Sequence, residues 1–226
     1  MPKTLIVGCS YVHQLKFYQD INTEQFDLFG SPGAGNQAIA ARALHQINTV
    51  DYDEVLVLWS GVNRLDMPVS QDLHRVENYK FFDMVDTTIW YHSGGIGCSG
   101  QSPEAPKIIK KYFDAAYFVS SNQSLSHLTL NNIFSVQQRL QVKQIPYRMA
   151  FIYDINDQSR QQHEVSHGFL DPICNLYSHI NWQPFVIDSP YNWARSKKQL
   201  KEDNYYPTEA AFLQWFKEQL DVDLLQ

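Results

Sequence analysis

Thr4-Leu5-Ile6-Val7-Gly8-Cys9-Ser10-Tyr11 is the stretch on which the reading of this chain turns. Thr4 to Val7 are apolar or β-branched, and they lead into a glycine, a thiol and a hydroxyl. The run has the composition of a buried strand, and Gly8-Cys9-Ser10 reads as the sharp turn that ends it. A hydroxyl is thereby presented at the carboxyl end of a strand, the edge at which open α/β sheets bind ligands.

The same pattern recurs further along the chain. Phe26-Asp27-Leu28-Phe29 reads as a short strand running into a turn of small residues, Gly30-Ser31-Pro32-Gly33-Ala34-Gly35-Asn36. Gln37 to Ile47 is expected to be helical, because Ala38, Ile39, Ala41, Ala43, Leu44 and Ile47 combine helix propensity with helical spacing. Glu54 to Trp59 is almost wholly apolar, as a strand covered on both faces is, and it ends in Ser60-Gly61-Val62-Asn63-Arg64. Arg148 to Tyr153 and Pro184 to Asp188 read as two more strands. Two helical segments are expected over 103–144, and a terminal helix over Thr208 to Leu220. Tyr11 to Asp20 and Asp154 to Asn181 show no clear period. Residues 66–102 read as irregular, with Tyr79, Phe81, Phe82, Trp90 and Tyr91 ahead of a glycine-rich piece at 93–100. So long a stretch is expected to serve as a flap on a single domain spanning 1–226. The alternation of strands and helices predicts a three-layer α/β/α sandwich with a mostly parallel sheet. The turns after its first three strands should then gather at one edge.

Composition narrows the partners. The chain has 226 residues, 44% hydrophobic and 14% aromatic, enough for one sizeable core. Its net charge of −6, with no basic run longer than Lys110-Lys111 or Lys197-Lys198, argues against nucleic acid. The three cysteines, Cys9, Cys98 and Cys174, are odd in number and widely spaced, which suggests a reducing compartment without a disulfide framework. No apolar stretch approaches membrane-spanning length, so no membrane span and a cytoplasmic location are expected. The glycines at 94–100 lack the Gly-Lys-Ser/Thr ending of a phosphate loop, and no cofactor is expected.

Four short blocks now stand in order along nearly the whole chain: Gly8-Cys9-Ser10, Gly33-Ala34-Gly35-Asn36, Gly61-Val62-Asn63 and Asp203-Asn204-Tyr205-Tyr206-Pro207. Together they resemble the four blocks of the SGNH hydrolases, the GDSL-like esterase/lipase superfamily. The Gly-Cys-Ser start and Trp59-Ser60-Gly61-Val62-Asn63-Arg64 look most like a divergent branch of that group. The resemblance implies a flavodoxin-like fold and a serine-dependent hydrolase acting on a small-molecule ester or an O-acyl carbohydrate. It makes Ser10 the nucleophile, the Gly35 N–H and Asn63 amide donors to the oxyanion, and Asp203 the carboxylate that orients a base. Such blocks answer a chemical need: a hydroxyl nucleophile, a group to take its proton, and donors aimed at the developing oxyanion.

Two positions depart from the family pattern. Cys9 stands where the family has Asp, which leaves the attacking serine in place. Tyr206 stands where the base histidine should be, and an ordinary phenol, with a pKa near about 10, is a poor base at neutral pH. The last histidine of the chain is His179, so a relocated base would come from His163, His167 or His179. The alternative is a binding protein that keeps the pocket after losing catalysis. A minor alternative is a zinc hydrolase, because His163-Glu164-Val165-Ser166-His167 matches the His-Glu-x-x-His signature. Each residue also has a structural reading: Ser10 and the glycines as turn formers, Asn63 as a loop brace, Asp203 as a solvated anion near a helix start, and Cys9 as a small buried apolar group.

Overall fold

The computed structural model describes residues 2–62, 64–70, 82–85, 88–92, 111–116, 120, 122–153, 178–186, 188–202 and 206–225. Strands β1 (Thr4–Gly8), β2 (Phe26–Gly30), β3 (Glu54–Trp59) and β7 (Tyr147–Phe151) form a sheet in the order β2-β1-β3-β7, with every pairing parallel. The chain is therefore α/β, with a parallel sheet flanked by helices. Leu5, Ile6, Val7 and Val55 to Leu58 are essentially inaccessible, which is why these strands read as continuous apolar runs. Gly8 is level with Gly30 and with Leu58, so the turns after β1, β2 and β3 share one edge.

The helices divide between the two faces. α2 (Asn36–Thr49) connects β2 to β3 and packs against α4 (Asn122–Lys143), where Lys143 Nζ donates to Ile47 O at 2.6 Å and Arg139 Nε to Asn48 Oδ1 at 2.5 Å. α1 (Ser10–Leu15) connects β1 to β2, and its Tyr11 ring meets Phe212 of α6 (Glu209–Leu220) at 5.6 Å. Right-handed crossovers require this split, because β1 to β2 and β2 to β3 run in opposite directions across the sheet. α5 (Pro190–Ser196) lies beside α6. It begins at Ser189, whose Oγ accepts from Asn192 N–H at 3.1 Å, with Pro190 supplying the fixed φ of a first turn. A further helical stretch, α3, covers 111–116.

Three sequence expectations change. Tyr11 to Asp20, left unassigned, begins as α1. The irregular flap contains a second sheet: β4 (Asp66–Ser70), β5 (Phe82–Val85) and β6 (Thr88–His92) pair antiparallel in the order β4-β6-β5. Pro68 hid β4, yet β4 is an edge strand, where a missing N–H is tolerated. The strand expected over Pro184 to Asp188 is a single parallel bridge, Phe185 opposite Met149. Met149 N–H donates to Pro184 O and Met149 O accepts from Val186 N–H, but a turn closed by Phe185 N–H on Trp182 O precedes the bridge. The Asp188 carbonyl is taken by the Trp215 indole at 2.9 Å.

One close approach holds the site edge together. A Cβ on Gly30 would stand 2.6 Å from Val12 C and 2.8 Å from Cys9 O, so the backbone of the β1–α1 turn rests directly on the end of β2. Gly30→Ala should lower unfolding stability by about 1–3 kcal/mol, the usual cost of overpacking, measured by chemical denaturation. A neutral result would mean that the turn is free to shift.

Candidate active site

Ser10 is the first residue of α1 and follows β1 by two positions, so its hydroxyl stands at the carboxyl edge of the sheet. It is 7% exposed. Its Oγ accepts from the Tyr206 hydroxyl at 3.2 Å, and its own O–H donates to Cys9 Sγ at 3.9 Å, a weak bond to a weak acceptor. Ser10 and Tyr206, nearly the whole chain apart in sequence, thus meet in space.

Tyr206 is held from several sides. Its carbonyl accepts from Lys201 N–H at 2.8 Å, and Leu200 bridges Pro207 antiparallel. Thr208 then caps α6 by accepting from Ala211 N–H at 3.3 Å. The Tyr206 ring lies 5.2 Å from the Tyr11 ring, which also meets Tyr153 edge-on at 6.0 Å. Burial, reinforced by Tyr153, Cys9 and Tyr206, holds the Tyr11 phenol well above its ordinary pKa. Lys201 Nζ lies 5.9 Å from the Tyr206 ring centre and donates to Gln14 Oε1 of α1 at 3.0 Å.

The glycine block has a different partner from the one its resemblance implies. Gly35 is the N-cap of α2 and has no side chain with which to cap it. Asp66, from the second sheet, does so from outside: its Oδ1 accepts from Gly35 N–H at 2.9 Å and its Oδ2 from Ala38 N–H at 2.8 Å. One carboxylate thereby satisfies the N-cap and N3 amides that a capping box satisfies with two side chains. The amide expected to face an oxyanion is committed to Asp66 in this structure. A Cβ at position 35 would meet Arg64 O at 2.7 Å and Asp66 Oδ2 at 2.9 Å, so only glycine fits beneath the carboxylate. Asn36 is likewise taken up: its amide bonds Ser60 N–H at 2.8 Å, Ser60 O at 3.3 Å and Thr129 Oγ1 at 3.1 Å.

Asp66 has a further partner that sequence reading missed. His92 is its cross-strand neighbour, and His92 Nδ1–H donates to Asp66 Oδ1 at 2.8 Å, with both side chains fully buried. Arg42 of α2 is also buried close by; burial pulls its guanidinium down to about 10, partly offset by the attraction of Asp66. The signal in the sequence was slight: a lone Asp ahead of a proline, and a His ending a β-forming run, Thr88-Ile89-Trp90-Tyr91-His92.

Asn63 and Asp203 lie outside the described residues, as do His163, Glu164 and His167. His179 is exposed, with its ring 6.4 Å from Phe134 of α4, on the opposite face of the sheet from α1 and α6. His13, three residues beyond Ser10, turns its Nδ1–H to Gly30 O at 3.3 Å; burial lowers its pKa despite that bond, and Lys16 and Arg42 lower it further. No helix among the described residues is long and apolar enough to cross a membrane.

If Asp66 is the outside cap of α2, Asp66→Ala strands three donors and should cost about 3–5 kcal/mol in denaturation experiments. Asp66→Asn keeps an oxygen but turns an N–H₂ toward a donor, so its cost should be intermediate. A cost near zero for Asp66→Ala would refute the capping role. Comparison of the chain with protein-family models, curated proteins and solved structures returns no match.

Proposed function

We propose that this protein is a serine-dependent ester hydrolase of the SGNH type, acting on an ester or an O-acyl carbohydrate. The observation that carries the proposal is the meeting of Ser10 with Tyr206. The serine sits on the strand-to-helix turn at the carboxyl edge of a parallel sheet, and a proton-carrying group from the far end of the chain lies 3.2 Å from its Oγ. That is the position from which a base acts on a nucleophile, since proton transfer needs hydrogen-bond reach. Ser10 is the nucleophile in this reading, and Asn63 and the Ser10 amide are the oxyanion donors. Each such donor is worth about 10²–10³ in turnover. The Gly35 amide joins them only when Asp66 releases it. Asp203 is the orienting acid of this reading.

A second reading is a binding protein that has kept the pocket. It is favoured by one observation, the engagement of the Gly35 amide by a fully hydrogen-bonded buried carboxylate. A fluorophosphonate probe with intact-mass readout separates the two. The hydrolase reading expects a single adduct on the wild-type chain that disappears in Ser10→Ala. If the wild type stays unmodified at every pH and probe concentration while remaining folded, the serine is not activated and the binding reading stands.

A further inference from the structure

Resting on the hydrolase reading, we infer that Tyr206 is the proton acceptor for Ser10 and that Lys201 is the cation that steadies its phenolate. Tyr206 Oη is bonded to Ser10 Oγ at 3.2 Å, within the reach that proton transfer needs. The neutral phenol donates to Ser10 Oγ; in the phenolate form the same pair reverses and Ser10 O–H donates. The ring is held for this role by the Tyr11 ring, 5.2 Å away and tilted 47° to it, by the Lys201 N–H bond to the Tyr206 carbonyl and by the Leu200–Pro207 bridge.

Among the described residues, the groups around Tyr206 come from two parts of the chain. From the start of α1 come Ser10 and Tyr11, with Cys9 bonded to Ser10 and Tyr153 edge-on to Tyr11. Tyr11 stays a neutral phenol because burial holds its pKa high, so it does not compete as an anion. Lys201 places its Nζ over the ring, 5.9 Å from its centre. Glu202 follows Lys201 in the chain. Lys201 Nζ is also tied to Gln14 Oε1, on the helix that begins with Ser10, so the cation is anchored to the element that carries the nucleophile. A cation over the ring favours the phenolate, whose negative charge is shared between the oxygen and the ring carbons. Lys201 therefore acts through Tyr206 and is a positioning residue, whereas Tyr206 touches the reacting oxygen.

The chemistry balances without any added reactant beyond water. Ser10 Oγ attacks the ester carbonyl carbon as its proton passes to the Tyr206 phenolate. The resulting phenol protonates the departing alkoxide, the carbon–oxygen bond to the alcohol breaks, and an acyl-Ser10 ester remains. Water then attacks that ester, giving its proton to the phenolate, which returns it to Ser10 Oγ as the acid leaves.

The test is the rate of fluorophosphonate labelling against pH, with intact-mass readout. Wild type should label about tenfold faster per pH unit between pH 7 and 9, because only the phenolate is competent. Tyr206→Phe keeps the ring on Tyr11 and should fold, which near-ultraviolet circular dichroism checks, yet label at least about 100-fold more slowly. Lys201→Gln should push the rise to higher pH, and Lys201→Arg should restore it. Tyr206→His should level off above about pH 7, as an imidazole does. If Tyr206→Phe labels as fast as wild type, or the wild-type rate is flat above pH 7, Tyr206 is not the acceptor while the hydrolase reading survives. If only Tyr206→His labels, Tyr206 is a block rather than a base. If neither labels at any pH, the hydrolase reading falls with the inference. An unshifted Lys201→Gln profile removes Lys201 alone.

Discussion

The in-register parallel pairing of β1 between β2 and β3 is the constraint on which the rest of the molecule depends. With Gly8 level with Gly30 on one side and Leu58 on the other, three turns must emerge at one height. Two of those turns then press on each other. The β1–α1 backbone packs on Gly30, and Gly8 itself sits where a Cβ would meet Val12 Cγ2 at 2.6 Å and Leu58 O at 3.0 Å. Backbone this close leaves little freedom in where Ser10 points. The position of the hydroxyl is thus a consequence of strand register and missing side chains more than of any bond to Ser10 itself.

The second sheet is attached to this edge by Asp66. Its carboxylate accepts from two amides of the α2 start and from His92, and it lies close enough to Arg42 to be felt there. A buried carboxylate is tolerable only when it is so compensated. The compensation comes from the α2 start and the second sheet at once, so the β4-β6-β5 layer cannot leave the α2 start without exposing an uncapped helix end. This also explains why Gly35 is glycine. The space a side chain would need is filled by the carboxylate that replaces its capping function.

What the sequence revealed follows from how local each signal was. The four parallel strands, α2 and α6 announce themselves through short runs of uniform burial or helical period, and the structure has them. α1 did not, because its six residues alternate apolar and polar groups over too few turns to show a period. The antiparallel sheet did not, because β4 carries a proline and its pairing with β6 spans a long connection. The Asp66–His92 pair was invisible for the same reason: it exists only through the β4–β6 register. The proximity of Ser10 and Tyr206 was anticipated only through resemblance, since nothing local in either segment points to the other. The carboxylate on the Gly35 amide was not anticipated at all. A glycine-rich turn looks the same in sequence whether its N–H faces a substrate or a neighbouring side chain.

Placing a phenol where an imidazole is expected preserves a flat ring with a polar tip, so packing against Tyr11 is satisfied by either. The difference lies in proton affinity. With an ordinary pKa near about 10, about one phenol in a thousand is ionised at pH 7, a deficit of about 4 kcal/mol relative to a base already in its active form. General-base catalysis is itself worth about 10²–10⁴, so the deficit is of the same size as the whole effect. A tyrosine at position 206 therefore helps catalysis only if its surroundings recover part of that loss, and a cation is the means by which a protein does so. Cys9 and Tyr11 are neutral or apolar neighbours that cannot. Among the described residues, Lys201, tied through Gln14 to the helix that starts at Ser10, is one whose charge can. In the proposed mechanism, the position of Lys201 therefore matters alongside that of Ser10.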